Sequence, residues 1–118
     1  MTTPQRPYTP IVRVGDWLVC SGQIGMADGK LAGELKGELR QAVSNLQELL
    51  ATEGATLADV VKTTVFLTHM SDYERMNEAY VEVFGDHRPA RSAVGVTALP
   101  LGALVEVEAW AYKPPRSR

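Results

Sequence analysis

The chain has 118 residues, and its 12 Lys and Arg against 14 Asp and Glu leave a formal net charge of −2. That balance excludes the basic excess of a dedicated nucleic-acid or membrane-surface binder, while 45% apolar and 22% charged residues exclude an intrinsically disordered chain. A single cysteine, Cys20, excludes an internal disulfide and a cysteine-built zinc site.

The length suits one domain over residues 1–118, able to bury roughly two-thirds of its unfolded surface without metal or disulfide. The ends, 1–6 and 114–118, are expected to be flexible, and the Pro114-Pro115 pair stops any strand before it. The N-terminus lacks the apolar core of a signal segment, and no stretch approaches the roughly 20 apolar residues of a membrane span. A soluble cytoplasmic domain with no membrane association is the expectation.

In chain order, Ile11–Val14 and Trp17–Ser21 are short β-type runs joined by Gly15-Asp16, a hairpin signal. Ser21 to Gly25 continues extended, with Gly22 and Gly25 marking a bulge or a close backbone approach. Asp28-Gly29 predicts a second turn. Leu35 to Glu53 reads as an amphipathic helix, because Leu35, Leu39, Ala42, Val43, Leu46, Leu49 and Leu50 fall on one stripe. Gly54 is placed to end it in a left-handed conformation. Val60 to Thr68 is an alternating β-branched strand, with Val61, Thr63, Val65 and Leu67 expected on one face. A second helix is expected from Ser71, capped by its hydroxyl and by Glu74, with Tyr73, Met76, Tyr80, Val83 and Phe84 as its stripe and Gly85 as its end. Arg91–Val96 and Leu104–Tyr112 are the last strands. The order predicts an α+β layer, a mixed sheet with two helices on one face.

The last strand is two-faced. Val105, Val107, Ala109 and Ala111 suit packing under helices, which puts Leu104, Glu106, Glu108, Trp110 and Tyr112 on the opposite side. Two helices cannot cover both faces, so a partner subunit over the open face is the reading. The alternative places Trp110 against its own tail.

Little else in the chain carries chemistry. His69 and His87 have no neighbouring ligand cluster, so no metal is expected, and Cys20 reads as a small buried apolar residue. No glycine-rich loop opens a helix and no G-x-S-x-G elbow is present. Arg91 and Glu106 remain. Their strands are expected to pair, holding a guanidinium and a carboxylate on one sheet edge. Such a pair could bind a substrate carboxylate and activate water, or be an ordinary cross-strand ion pair.

Ser21-Gly22-Gln23-Ile24, Val61-Lys62-Thr63-Thr64-Val65-Phe66-Leu67, and Pro89-Ala90-Arg91-Ser92-Ala93-Val94 through Leu99-Pro100 to Val105-Glu106-Val107-Glu108-Ala109 resemble the Rid (reactive intermediate deaminase, YjgF-type) family over roughly Tyr8 to Tyr112. The resemblance implies a chorismate-mutase-like α+β fold, assembled as a homotrimer with clefts at the subunit interfaces. It implies hydrolysis of 2-imino acids and their enamine tautomers to 2-oxo acids and ammonia, a 2-iminobutanoate/2-iminopropanoate deaminase-like activity without a cofactor.

By the same resemblance Arg91 grips the substrate carboxylate and Glu106 positions the attacking water. Tyr8 lines the cleft, Asn77 lies near its rim, Gly22 and Gln23 border it with main-chain groups, and Ala93 contributes backbone N–H and C=O. Ala93 stands where well-known deaminases have cysteine, and Tyr8 is followed by Thr9-Pro10 rather than Ser-Gln. These departures bear on the preferred imine more than on the reaction class. Two other functions are weighed beside the deaminase. One is a non-catalytic small-carboxylate binding module using the Arg91 cleft. The other, ranked last, is a ribonuclease or translation inhibitor, against which the −2 charge argues.

Overall fold

The computed structural model describes residues 6–116, so the expectation of flexible ends falls outside it for 1–5 and 117–118. The N-terminal apolar runs close into a hairpin: β1 (Ile11–Val14) pairs antiparallel with β2 (Trp17–Ile24) around Gly15, whose φ of 59° the turn requires. A miniature hairpin follows, β3 (Met26–Ala27) and β4 (Lys30–Leu31), turned at Asp28-Gly29, both with positive φ. Helix α1 (Leu35–Ala51) ends two residues before the predicted Glu53. It is capped by Glu34, whose carboxylate accepts from the Lys36 and Gly37 amides at 3.1 and 2.6 Å.

Strand β5 (Val60–Leu67) leads to α2 (Tyr73–Phe84), then to β6 (Ala90–Gly95) and β7 (Val105–Tyr112). The five long strands form one mixed sheet in the order β1-β2-β7-β5-β6, parallel only between β5 and β6. Both helices supply the core on one face. Leu35, Leu39, Leu46 and Leu50 of α1 and Met76, Ala79 and Phe84 of α2 lie over Val65, Leu67, Val105, Val107 and Ala111. Truncating a leucine in so tight a core removes its transfer energy and leaves a cavity. Leu46→Ala is therefore expected to cost about 2–5 kcal/mol in a urea melt.

Three local expectations need correction. First, β6 and β7 do not pair, because β5 lies between them. The crossover through α2 sets β6 parallel to β5 on one side. The other side is taken by β7, whose small apolar residues suit the middle of the sheet. Second, Val61 is 43% exposed, while Val60 is buried. The pairing with β7 shifts between Val60 and Lys62, so one residue bulges out and the alternation resumes at Thr63. Third, Ser71 does not cap α2. It sits inside a 3₁₀ turn, Met70–Asp72, where it cannot adopt an extended cap conformation, and the helix starts after Asp72 without a side-chain cap.

The open face carries Val12, Val14, Trp17, Trp110 and Tyr112, each at least 39% exposed. Trp110 lies edge-on to Trp17, ring centroids 6.3 Å apart, and Trp17 edge-on to Tyr112 at 5.2 Å. Among the described residues no helix is long and apolar enough to cross a membrane.

Candidate active site

Arg91 lies opposite Thr63 in the β5–β6 register, so its side chain emerges on the helix-covered face. There α2 surrounds it. Nη2 donates to the Tyr73 hydroxyl at 3.2 Å, and Nη1 points at the Met76 sulfur at 3.7 Å. The guanidinium carbon stands 4.8 Å from the Tyr80 ring centre and 5.7 Å from that of Tyr73. Tyr80 is itself fixed by a buried 2.6 Å hydrogen bond between its hydroxyl and Thr63. Burial raises the Tyr80 phenol pKa, an effect partly offset by Thr63 and by the charges of Arg91 and Arg88.

Among the described residues no carboxylate lies within 4.0 Å of Arg91. Aromatic faces offset the desolvation of a half-buried cation only in part, by about 0.5–2 kcal/mol each. A guanidinium held this way keeps N–H donors that no carboxylate among the described residues takes up. Asn77 shares the stripe of Tyr73, Met76 and Tyr80 on α2, and its Oδ1 is buried with no hydrogen-bond partner. Ala93 follows Arg91 on the same face of β6, opposite Val65.

Glu106 belongs to the other face. It lies opposite Phe66 in β5 and Ile24 in β2, half-buried beside Gly22. A side chain at position 22 would meet the end of the Glu106 side chain and push its carboxylate aside. Burial, and then the negative charge of Glu108, raises the Glu106 carboxyl pKa above its usual 4.5. A groove of about 680 Å³ is lined by Tyr8, Pro10, Gly22, Gln23 and Met26, by Asn45, Glu48 and Leu49 of α1, and by Leu101. Leu101 is a non-glycine residue with φ of 59° in the turn before β7.

The sequence-predicted residues therefore fall into two groups. Tyr8, Gly22 and Gln23 line the groove, with Glu106 against Gly22; Arg91 and Ala93 lie on the helix-covered face of β6, and Asn77 is on α2 above that face. One copy of the chain does not hold Arg91 and Glu106 on one sheet edge, as expected from their order, and they do not form an ion pair. Sequence reading missed the Tyr73–Tyr80–Thr63 surround of Arg91, because both tyrosines fit an ordinary helix core stripe. It also missed Glu38, which is 2% exposed and whose carboxylate accepts from the Leu104 amide at 2.8 Å, holding the turn ahead of Glu106. An acidic residue beside Leu35 and Leu39 on an apolar face was the available signal.

His87 Nε2 bonds the Val60 carbonyl at 2.7 Å and His69 Nδ1 meets Thr68 Oγ1 at 3.2 Å. Cys20 is buried in the core, and burial raises its thiol pKa to about 11. Neither histidine nor the cysteine joins either group.

The chain matches the family model described as Endoribonuclease L-PSP over residues 2–113. It is 42% identical over 113 residues to a RutC family protein of Pyrococcus horikoshii, covering 93% of this chain and 90% of that one. It is 41% identical over 112 residues to the 2-iminobutanoate/2-iminopropanoate deaminase of Homo sapiens, covering 92% and 82%. The crystal structure of RidA from the Antarctic bacterium Psychrobacter sp. is similar with a TM-score of 0.88 at 36% identity, covering 93% of this chain and 91% of that one. A match across almost the whole chain, in sequence and in fold, shows that the protein belongs to the Rid (YjgF/RutC, Endoribonuclease L-PSP) family.

Proposed function

We propose that the protein is a hydrolytic deaminase acting on 2-imino acids and their enamine tautomers, in clefts formed between the copies of a homotrimer. The observation that carries this reading is the Arg91 guanidinium, surrounded by Tyr73, Met76 and Tyr80 and without a counter-ion among the described residues. A deaminase name on a relative 41% identical supports the same chemistry. The sheet supports an interfacial cleft. Arg91 and Glu106 stand on opposite faces of one copy, so a small molecule can meet both only if a second copy contributes one of them. The exposed Trp17, Trp110 and Tyr112 cluster supports a covered open face.

In this reading Arg91 fixes the substrate carboxylate by a two-point, charge-assisted pair. The backbone of Ala93 and the Asn77 amide orient the C=N group. Water held by Glu106 from the neighbouring copy adds to the protonated imine carbon, and Glu106 accepts the proton that this water loses. Glu106 returns that proton to the carbinolamine nitrogen, ammonia leaves as the C–N bond breaks, the hydroxyl proton passes to solvent, and the 2-oxo acid departs with a carbonyl oxygen that came from water. Tyr8, Gly22 and Gln23 wall the groove beside the reacting carbon. Fixing both reactants lowers the entropy barrier, which suffices for a bond that already hydrolyses in free solution. A small reduced protein with one buried thiol suits the cytoplasm, and the reading places it there.

A cleft shared between copies makes a distinctive prediction. Arg91→Ala and Glu106→Gln proteins, each inactive alone, should regain activity when unfolded, mixed in equal amounts and refolded together. In randomly mixed trimers about one interface in four carries both native groups, so about a quarter of wild-type activity is expected. Mixed oligomers without any regain would contradict the shared cleft. The family's description as an endoribonuclease favours a second reading, RNA cleavage. The net charge of −2 opposes it, and steeply salt-dependent RNA binding by the pure protein would support it.

A further inference from the structure

We propose that Tyr73 is the positioning residue that aims the Arg91 fork, an inference that rests on Arg91 being the carboxylate anchor. A guanidinium on a flexible stem must be turned to present one edge if it is to take a carboxylate at two points. Here two of its nitrogens are already engaged. Nη1 faces the Met76 sulfur and Nη2 donates to the Tyr73 hydroxyl, whereas Nε makes no hydrogen bond among the described residues. Nε keeps its N–H, and Nη1 and Nη2 each keep a second one, so the fork retains donors for an anion once the Tyr73 bond has fixed its direction.

The placement of Tyr73 is built into the fold rather than left to a surface rotamer. Tyr73 is the first residue of α2, at the end of the 3₁₀ turn Met70–Asp72. That turn is seated on the end of β6, because Gly95 leaves room for Met70; a side chain at Gly95 would come within 2.9 Å of the Met70 Cγ. The same strand carries Arg91 four residues earlier. Beneath, Thr63 holds the Tyr80 ring under the guanidinium, which prevents the fork from rotating away from Tyr73. The phenol oxygen thus orients the arginine, whereas the ring of a phenylalanine at this position would fill the same space without that contact.

The test compares Tyr73→Phe with wild type by calorimetry, using 2-oxobutanoate as a stable carboxylate probe, and by steady-state imine hydrolysis. Loss of a hydrogen bond to a charged group predicts a Kd and a KM raised roughly fivefold, with kcat within about twofold and an unchanged melting temperature. In an Arg91→Ala background the same substitution should leave Kd unmoved, because the hydroxyl acts through the arginine. Unchanged Kd and KM for Tyr73→Phe would overturn the proposal, as would a fall in kcat at constant KM. An equal effect in the Arg91→Ala background would also overturn it. If Arg91→Ala binds the probe as tightly as wild type, the anchor reading itself fails and the Tyr73 role with it. Weak binding by Arg91→Ala beside an unaffected Tyr73→Phe removes the Tyr73 role alone.

Discussion

Arg91→Ala is expected to abolish most imine hydrolysis, lowering kcat/KM by roughly 10²-fold or more, while the protein stays folded. Two hydrogen bonds to a charged carboxylate are worth about 1.5–3 kcal/mol each, and both are lost. The fold should survive because Arg91 forms no ion pair among the described residues and sits on the edge strand β6. Arg91→Lys should recover little. It keeps the charge but not the planar fork, and an ammonium cannot bond Tyr73 and a carboxylate in the same arrangement. Steady-state kinetics with imine generated in place, alongside circular dichroism of each variant, checks both halves of the expectation.

Glu106→Gln should lower kcat by about 10²–10⁴-fold, the usual contribution of a positioned general base, with a smaller change in KM. Its pH dependence is a sharper signature. Burial and the neighbouring Glu108 raise the Glu106 pKa above 4.5, so the ionised, water-activating form fills only as pH climbs past that value. The wild-type kcat should therefore rise along a limb centred above 4.5, and the limb should vanish in Glu106→Gln. The linked effect on stability has the opposite sense. A folded-state pKa above the unfolded one means that the native state holds the proton more tightly. Its contribution is then full below the unfolded value and fades as pH rises through the folded one. Glu108→Gln removes one of the two causes and should move the limb to lower pH.

What could be read from the sequence was whatever depends on neighbours a few residues away. The leucine stripe of α1, the Asp28-Gly29 turn, the glycine end of α2 and the two faces of β7 follow from periodicity and backbone freedom. Pairing across the sheet does not. Consecutive strands invite pairing, yet β5 separates β6 from β7, since the crossover through α2 lays β6 parallel along one side of β5 and β7 pairs on the other. The misplaced face of Val61 has the same origin, a bulge set by β7 fifty residues away and invisible in an alternating run. Arg91 and Glu106 stood out as residue types, but their opposite faces depend on the registers Arg91 to Thr63 and Glu106 to Phe66. The tyrosines around Arg91 were legible only as core, because a stripe at helical spacing looks the same whether it meets a leucine or a guanidinium. Ser71 shows the converse error. Its capping pattern is sound locally, but the chain had already curled into a 3₁₀ turn that lays Met70 on Gly95.

The most direct measurement supplies the protein with 2-imino acid made continuously by an amino-acid oxidase and follows the disappearance of the imine, with Arg91→Ala as control. The account predicts faster loss with wild type, equimolar appearance of 2-oxo acid and ammonia, and the uncatalysed rate with the variant. Equal rates for wild type, variant and buffer, across imines of several side-chain sizes, would contradict it.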